Sequence, residues 1–403
     1  MTTVAPTVLA AEDRRFLALF IILSVISGLT VGLGKIVSTL YAISLHATPF
    51  QIGLISAMES VGMVLVTVPA GFIIARYGAR GVYFMSSLGP MLINLAMPFS
   101  GSWVALALGR GAIGLCIPFR MVSMNGSFLE RLPRFGPGKA GWYRASLTGG
   151  VAILGPSLAA FLTTRGDVTT IFFLVSACFA IMALFSLSFL PDRDPRGAQK
   201  EVRFVDEIVL IVRSPAIAES CLVEFTSAAT NALFSTFIIL LAASLPGLTE
   251  QDGIRIMLVQ GFAVVGLLFF GGTLAARLSN PVAYGLSLVS ATVALLSFAY
   301  ATSFAVLALG AVLLAVGAAI VHLINMRVMA GLPGGKSKVA GLYNLASMTG
   351  ASFGAIAGGA ITTLVPLQWV FLIWLPLLLV AGLLAQWLNL RRRREGSLAL
   401  QDI

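Results

Sequence analysis

Apolar runs long enough to cross a lipid bilayer recur along the whole chain. A helix needs roughly 20 predominantly apolar residues to cross the hydrocarbon. The runs predict twelve membrane-spanning helices, at residues 16–45, 50–75, 81–100, 103–130, 139–162, 168–190, 215–244, 252–276, 281–302, 303–329, 338–364 and 367–390. The first run is too long for a signal-peptide core and is interpreted as a retained helix. We therefore expect an integral membrane protein with an all-α fold.

The composition argues against both a soluble protein and a nucleic-acid partner. Only 10% of the 403 residues are charged and 58% are hydrophobic, whereas soluble domains carry about 25% charged residues. The net charge of +10 does not indicate nucleic acid, because the charged residues stand in short clusters between the apolar runs. Cys116, Cys178 and Cys221 lie inside apolar runs without metal-ligand spacing, so we predict no metal and no cofactor.

The lysine and arginine residues predict the orientation. Of the 26 such residues, 21 fall at the two termini and in the connections on the same side, and only Arg165 and Arg255 fall on the other side. Because positive residues concentrate in cytoplasmic connections, both termini are predicted to be cytoplasmic. The basic run 391–394 fits this orientation and also suits contact with anionic membrane lipids.

A polar segment divides the chain into two similar halves. We predict an N-terminal six-helix bundle at 1–190, a cytoplasmic linker at 191–214 and a C-terminal six-helix bundle at 215–403. Shifting the sequence by 201 positions aligns the halves without gaps over 48–109, and a shift of 200 aligns later positions. Matched pairs include Glu59 with Gln260, Gly71 with Gly272, Arg76 with Arg277, Tyr83 with Tyr284, and Tyr143 with Tyr343. Weak internal symmetry of this kind is typical of transporters.

The connection after the second span carries a recognisable motif. It reads Gly-Phe-Ile-Ile-Ala-Arg-Tyr-Gly-Ala-Arg over residues 71–80. This resembles G-x-L-A-D-R-x-G-R-K, the loop between helices two and three of the major facilitator superfamily. Gly71, Arg76, Gly78 and the basic Arg80 match that loop, whereas Ala75 stands at the family's acidic position.

Two further elements support the same resemblance. Residues 106–114 look like the family's L-x-x-x-R-x-x-Q-G element, with Arg110 at the arginine and Ile113 in place of Gln. Gly155 and Pro156 resemble the centre of the G-P-x-x-G-G element of exporters. The resemblance covers nearly the whole chain. It implies two pseudo-symmetric six-helix bundles in a bacterial-type inner membrane, with helices one, four, seven and ten around a cavity that opens to alternate faces.

Lys35, Glu59 and Arg110 form a first group of ionisable residues within the spans. Counting from the span ends places all three at similar depth in the outer half of the membrane. Lys35 and Glu59 can form a buried ion pair that only orients helices. Alternatively, Glu59 is a protonatable carboxylate for proton coupling, with a charge state that depends on Lys35 or Arg110.

Arg120, Glu224 and His322 form a second group, in the inner half. Arg120 suits an anionic group of a solute or a gate contact with Glu224, because arginine does not release its proton. His322 can change charge near neutral pH, which makes it a candidate for proton coupling as well as for solute binding. Asn231 and Asn325 are candidates for hydrogen bonds in the same cavity.

These features favour a proton-coupled secondary transporter of a small organic, anionic or zwitterionic solute. The Gly155–Pro156 element favours efflux, and a proton-driven importer of an organic acid or siderophore-like chelate is the alternative. A membrane-embedded enzyme lacks a catalytic constellation, because only His46 and His322 occur. A channel rarely needs duplicated buried charges. We expect a monomer whose partners are the solute, protons and membrane lipids.

Overall fold

The computed structural model describes residues 11–135, 142–164, 167–190, 215–270, 277–331 and 336–398. These residues form twelve helices and no strand, which confirms the predicted all-α class. The helices are α1 (Ala11–Ser44), α2 (Pro49–Tyr77), α3 (Ala79–Ala96), α4 (Trp103–Phe135), α5 (142–163), α6 (Val168–Phe189), α7 (Pro215–Ser244), α8 (Glu250–Phe270), α9 (Asn280–Ala299), α10 (Phe304–Gly331), α11 (Lys336–Ile361) and α12 (Leu367–Leu398). The linker predicted at 191–214 lies outside the described residues, so the boundaries at 190 and 215 stay predictions.

The beginning and the end of α2 are set by local chemistry. The Thr48 hydroxyl accepts a hydrogen bond from the Gln51 backbone N–H, and the Gln51 side chain accepts one from the Thr48 N–H. This capping box satisfies donors that the first turn of a helix leaves free. The helix stops at Gly78, whose φ of 85° is strained for residues that carry a Cβ.

Eleven of the twelve helices contain a stretch that is long and apolar enough to span a membrane, within the described part of the chain. The exception is α11, which is rich in Gly, Ala and Ser. Those small residues let it approach two neighbours closely: Gly350 and Gly354 lie against the α7 backbone, and Gly359 lies against α2 at Phe50. The low hydropathy of α11 therefore reflects helix packing, as small residues commonly do in membranes.

The helices pack as two groups of six. Helices α1–α6, the N-half, contact mainly one another, and so do helices α7–α12, the C-half. Large apolar side chains point outward around both halves; examples are Met85, Leu184, Val289 and Leu383. Such exposure is expected where lipid surrounds the protein.

The two halves meet along α2 with α11 and along α5 with α8. We call the end with the turns at 45–48, 100–102 and 362–366 the outer face, after the predicted orientation. Near this face Gly53 of α2 lies against Ala355 and Gly359 of α11. Gln251 of α8 accepts a hydrogen bond from Thr163 and donates one to the Ala160 carbonyl, both at 2.7 Å. These contacts close the outer ends of the halves against each other.

Candidate functional site

The N-half carries a buried ion pair between α2 and α4. The Arg110 guanidinium contacts the Glu59 carboxylate, and both side chains are almost fully buried. Gly114, one turn further along α4, lies against the backbone of Glu59, so the absence of a side chain there lets α2 and α4 approach. Counting from the ends of the predicted spans placed these two residues at similar depth in the membrane. The structure shows that they contact each other.

Lys35 adds a second positive charge beside this pair. It lies on α1 one turn after Val31, which lines the same small cavity as Glu59 and Arg110. Residues four apart share a helix face, so Lys35 points towards the same region. It is close enough to Arg110 for the two charges to repel each other. Lys35 is exposed and makes no ion pair with any residue that the structure describes. Two basic side chains and one acidic side chain therefore give this group a formal charge of +1.

Arg120 lies deeper in the N-half, ten residues after Arg110 on α4. It is 2% exposed, and its guanidinium carbon lies 4.6 Å from the centre of the Phe179 ring on α6. Tyr83 of α3 and Tyr143 of α5 are close enough to interact with it electrostatically. The Arg120 Nε and Nη1 atoms have no hydrogen-bond partner within the described ranges, and neither does the Tyr83 hydroxyl.

The burial of Arg120 is energetically unusual. Removing an unpaired charge from water costs several kcal/mol even after the protein relaxes. A cation–π contact with a ring such as Phe179 returns about 2 kcal/mol when desolvated. Within the described residues, Arg120 has no ion pair, and Glu224 and His322 of the C-half do not contact it. The structure therefore does not join the predicted group of Arg120, Glu224 and His322.

Glu224 belongs to a hydrogen-bonded network inside the C-half. Its carboxylate accepts hydrogen bonds from the Tyr343 hydroxyl of α11 and from the Asn325 amide of α10, the latter at 3.3 Å. The Asn325 carbonyl oxygen in turn accepts a hydrogen bond from Tyr284 of α9 at 2.7 Å. The two tyrosines are the repeat counterparts of Tyr83 and Tyr143, so each half places two tyrosines around one polar residue of its fourth helix.

The repeat counterpart of Glu59 also makes a polar contact. Gln260 donates a hydrogen bond to the Asn231 side-chain oxygen at 3.0 Å, which joins α8 to α7. Asn231 itself donates to the Ser227 carbonyl. The C-half thus has a polar contact at the counterpart of Glu59, but that contact goes to the first helix of its half rather than to the fourth, and it carries no charge.

Sequence reasoning missed a third buried carboxylate, Glu219. It is 3% exposed, lies near the start of α7 and accepts a hydrogen bond from Asn389 of α12 at 3.1 Å. Both line a cavity of about 70 Å³ between α7, α9, α10 and α12. The same depth count that found Glu224 would have found Glu219, which lies five positions earlier. His322 is half-buried on α10, next to Val321 of this cavity.

The motif loop joins three helices at the end opposite the outer face. Arg80 donates a hydrogen bond through Nε to the Leu190 carbonyl at 2.9 Å, which ties the start of α3 to the end of α6. Arg76 is exposed and lies over the Tyr77 ring. Gly71 is part of α2, and Gly78 supplies the turn between α2 and α3.

Gly155 and Pro156 lie where α5 changes its hydrogen bonding. The segments Trp142–Gly149 and Gly155–Thr163 are α-helical, and Gly150–Leu154 between them is a π-helix. The Gly155 N–H donates to the Gly150 carbonyl, and Pro156 has no N–H for the Ala152 carbonyl. Gly155 also lies against Gly32 of α1, which brings α1 and α5 together.

Comparison with known proteins gives partial sequence matches to multidrug resistance proteins. The chain is 28% identical over 151 residues to the Multidrug resistance protein MdtG of Citrobacter koseri. It is also 28% identical over 152 residues to MdtG of Enterobacter lignolyticus. These alignments cover 37% of this chain and 36% and 35% of the two relatives, so the chain spans about a third of their length.

Solved structures of similar fold cover almost the whole chain. A crystal structure of a variant of the nucleoside transporter NupG superposes with a TM-score of 0.78, at 16% identity, over 92% of this chain and 99% of that one. A bacterial homologue of the human lysosomal transporter Spinster, in an inward-facing and unoccupied conformation, gives 0.76 at 12% identity, over 94% and 97%. At these identities the likeness shows the fold alone.

The family itself is shown by a sequence model that matches both halves. The model of the Major Facilitator Superfamily matches residues 15–283 and 220–401, which together span nearly the whole chain. This family match supports the prediction of a transporter rather than an enzyme. The chain is therefore an integral membrane protein that belongs to the Major Facilitator Superfamily.

Proposed function

We propose that this protein is a proton-coupled secondary transporter that exports a small zwitterionic or anionic organic solute across the inner membrane by alternating access. The observation that carries the proposal is the Glu59–Arg110 ion pair with the unpaired Lys35 beside it. Ionisable residues inside a membrane protein are costly and usually mark ion or solute pathways. The partial match to multidrug resistance proteins and the Gly155–Pro156 element support export.

The contacts between the halves support an inward-open state for this structure. The contacts described above between α2 and α11, and between α5 and α8, lie at the outer face, and a contact of Thr67 with Met348 continues the α2–α11 interface further inward. In alternating access, one end of the central cavity closes while the other opens. We propose that these contacts form the closed gate and that they separate when the cavity opens outward.

Glu59 is the proposed proton carrier. The Arg110 guanidinium contacts the Glu59 carboxylate and attracts its charged form. A proton on Glu59 removes that attraction and leaves two repelling cations, Arg110 and Lys35, side by side. We propose that this repulsion favours a change in the packing of α2 against α4 and so couples protonation to the state of the transporter.

The charges around Lys35 determine whether a given solute moves against the protons or with them. We propose that Lys35 holds a negative group of the solute and that Glu59 attracts a positive group of a zwitterion. A proton on Glu59 removes the second attraction, so proton and zwitterion compete, which gives antiport. For a purely anionic solute the sign reverses, because protonation raises the local positive charge and favours anion binding. Proton-driven import is thus the second candidate function, favoured by the net positive charge of the group.

Reconstituted vesicles test the proposal. We expect an imposed pH gradient to drive a labelled solute out of the cytoplasmic-side compartment, against its own gradient. In the Glu59→Gln variant this proton-driven flux is lost, while exchange of labelled for unlabelled solute continues. Glu12→Gln is the matched control, because Glu12 is an exposed carboxylate in the first turn of α1.

Three outcomes would count against parts of the proposal. Undiminished proton-driven flux in Glu59→Gln removes Glu59 from the coupling. If the solute accumulates on the side to which protons flow, the protein is an importer rather than an exporter. If Lys35→Met transports cationic and anionic probes at the same rates as wild type does, Lys35 takes no part in solute recognition.

A further inference from the structure

A groove at the outer face lies across the two halves of the protein. We call it the outer groove. It has a volume of about 590 Å³ and is formed by α1, α5 and α6 of the N-half and by α7, α8 and the turn between them in the C-half. This volume is within the range of sites that bind small organic molecules. Ser44, Ala243 and Thr249 line the groove and are exposed, so it can be reached from the outer face.

The contact that closes the outer face is part of this groove. Thr163 and Gln251 both line it, and they form the hydrogen bond between α5 and α8. When the halves separate at this face, the two walls of the groove move apart. A molecule that contacts both walls therefore binds only while the outer ends are together.

Glu250 gives the outer groove a negative charge. Its side chain is half-buried at the start of α8, lines the groove, and makes no ion pair or hydrogen bond with the residues that the structure describes. Arg255, one turn further along α8, contacts Asp252 at 3.0 Å instead. Asp167, which precedes Val168 of the groove, is a second exposed carboxylate. The groove therefore attracts cations.

The remaining wall favours an organic cation over a metal ion. Leu40 and Ile43 line the groove from the N-half, and Leu248 and Ile254 line it from the C-half. Metal ions such as Ca²⁺ need several oxygen ligands, and no cluster of three acidic, histidine or cysteine side chains occurs among the described residues. An organic ammonium ion has a positive charge for the carboxylate and apolar groups for the aliphatic side chains.

We propose that the outer groove binds a small organic ammonium ion from the outer side, and that the bound ion holds the outer gate closed. The ammonium group lies beside Glu250, and its apolar part lies between α1 and α8. A ligand that binds one of two states shifts the population towards that state, so the ion slows opening to the outside. The effect on transport rests on the proposed gate, whereas binding depends neither on proton coupling nor on the identity of the solute.

Thermal unfolding of the purified protein measures binding without transport. Choline is a suitable probe, because its charge is permanent and it carries no proton across a membrane. Its neutral counterpart of the same shape is 3,3-dimethyl-1-butanol. We expect choline chloride to raise the unfolding midpoint above that in sodium chloride of equal ionic strength, with saturation, since a ligand that binds only the folded state stabilises it. The neutral alcohol should give no such shift. Absence of a saturable, choline-specific shift would overturn the proposal.

Two variants of the groove show where choline binds. Glu250→Gln should raise the choline concentration at half-maximal shift about fivefold, which corresponds to the loss of a partly exposed charge pair. Ala243→Trp keeps the carboxylate but fills part of the groove, and it should weaken binding at least as much. Glu12→Gln, at the other end of α1, is the control and should bind as wild type does. An unchanged half-maximal concentration in either groove variant would contradict the proposal.

Transport measurements test the effect on the gate. In vesicles with the outer face of the protein towards the medium, choline in the medium should lower the maximal rate of solute export. At ten times its half-maximal concentration the rate should fall by up to about tenfold, because the choline-bound protein cannot open outward. Stabilisation without inhibition would show that the ion does not hold the gate. Since unfolding reports binding even in a protein that transports nothing, failure of this site and failure of the proposed function give different results.

Discussion

Single buried charges in this protein differ chiefly in whether they have a partner. Glu59 and Arg110 neutralise each other within the N-half, and Glu224 is held by two hydrogen-bond donors in the C-half. Arg120 is more deeply buried than these residues and has neither kind of partner among the described residues. The cost of a substitution should therefore depend on what is left behind rather than on the charge that is removed.

The Glu59–Arg110 pair allows a direct test of that rule. Arg110→Leu should lower the free energy of unfolding by about 3–5 kcal/mol, because it leaves Glu59 buried without its partner. The double variant Glu59→Gln with Arg110→Leu should recover much of that loss. Reversible unfolding in mixed detergent measures both. Equal stability of the single and double variants would mean that Glu59 finds another partner.

The tyrosines around Glu224 provide a second comparison. Tyr343→Phe removes a hydrogen bond to the Glu224 carboxylate and should cost about 1.5–3 kcal/mol. Tyr284→Phe removes contacts with two neutral groups, the Asn325 amide and the Ser220 hydroxyl, and should cost less, about 0.5–1.5 kcal/mol. Both are measured by the same unfolding assay. A larger loss in Tyr284→Phe would show that the neutral contacts of Tyr284, rather than the Tyr343–Glu224 contact, stabilise the C-half.

Counting positions within the predicted spans identified most of the buried charged residues, but it did not identify the side chains that they contact. Counting residues from the helix ends grouped Lys35, Glu59 and Arg110, and the structure brings Glu59 and Arg110 into contact. It also grouped Arg120 with Glu224, because depth carries no information about the side of a helix on which a residue lies. Arg120 faces Phe179 of α6 within its own half. The face is decided by helix rotation, which side-chain packing sets and a hydropathy pattern does not fix.

At the scale of helices, small residues decide where the two halves touch. Gly261 of α8 lies against the Ala152 carbonyl, inside the π-helical stretch of α5. That carbonyl lacks its usual intrahelical donor because Pro156 has no N–H. The sequence shows the proline. It does not show that α8 packs against the turn with the free carbonyl, because that depends on the tertiary structure.

This contact predicts a difference between two glycines of the same helix. Gly261→Val should separate α5 from α8 and reduce transport strongly, roughly tenfold or more, since its side chain would overlap the α5 backbone. Gly266→Val is the matched control, because nothing lies within 4 Å of a Cβ placed there. Initial transport rates at equal expression measure the effect. Similar rates in both variants would contradict a close α5–α8 contact during the cycle.

At the scale of the whole molecule, the duplicated sequence predicted the architecture well. Twelve apolar runs and a constant offset between halves require two similar bundles in lipid, and the family match confirms that fold. The face to which the central cavity opens cannot be predicted from the sequence. Inward-open and outward-open packings use the same helices and differ by only a few kcal/mol, a balance that hydropathy and motifs do not encode.

Locking the outer face tests whether the halves separate there during transport. Thr163 of α5 and Gln251 of α8 are hydrogen-bonded across the two halves. With Cys116, Cys178 and Cys221 replaced, cysteines at positions 163 and 251 joined by a short thiol-reactive cross-linker should hold the outer ends together. Transport should then stop, and cleavage of a reducible cross-linker should restore it, because the outward-open state becomes accessible again. Each single-cysteine variant, treated identically, should keep its activity. Continued transport after complete cross-linking would mean that α5 and α8 stay together at this face throughout the cycle, and that the solute leaves by another opening.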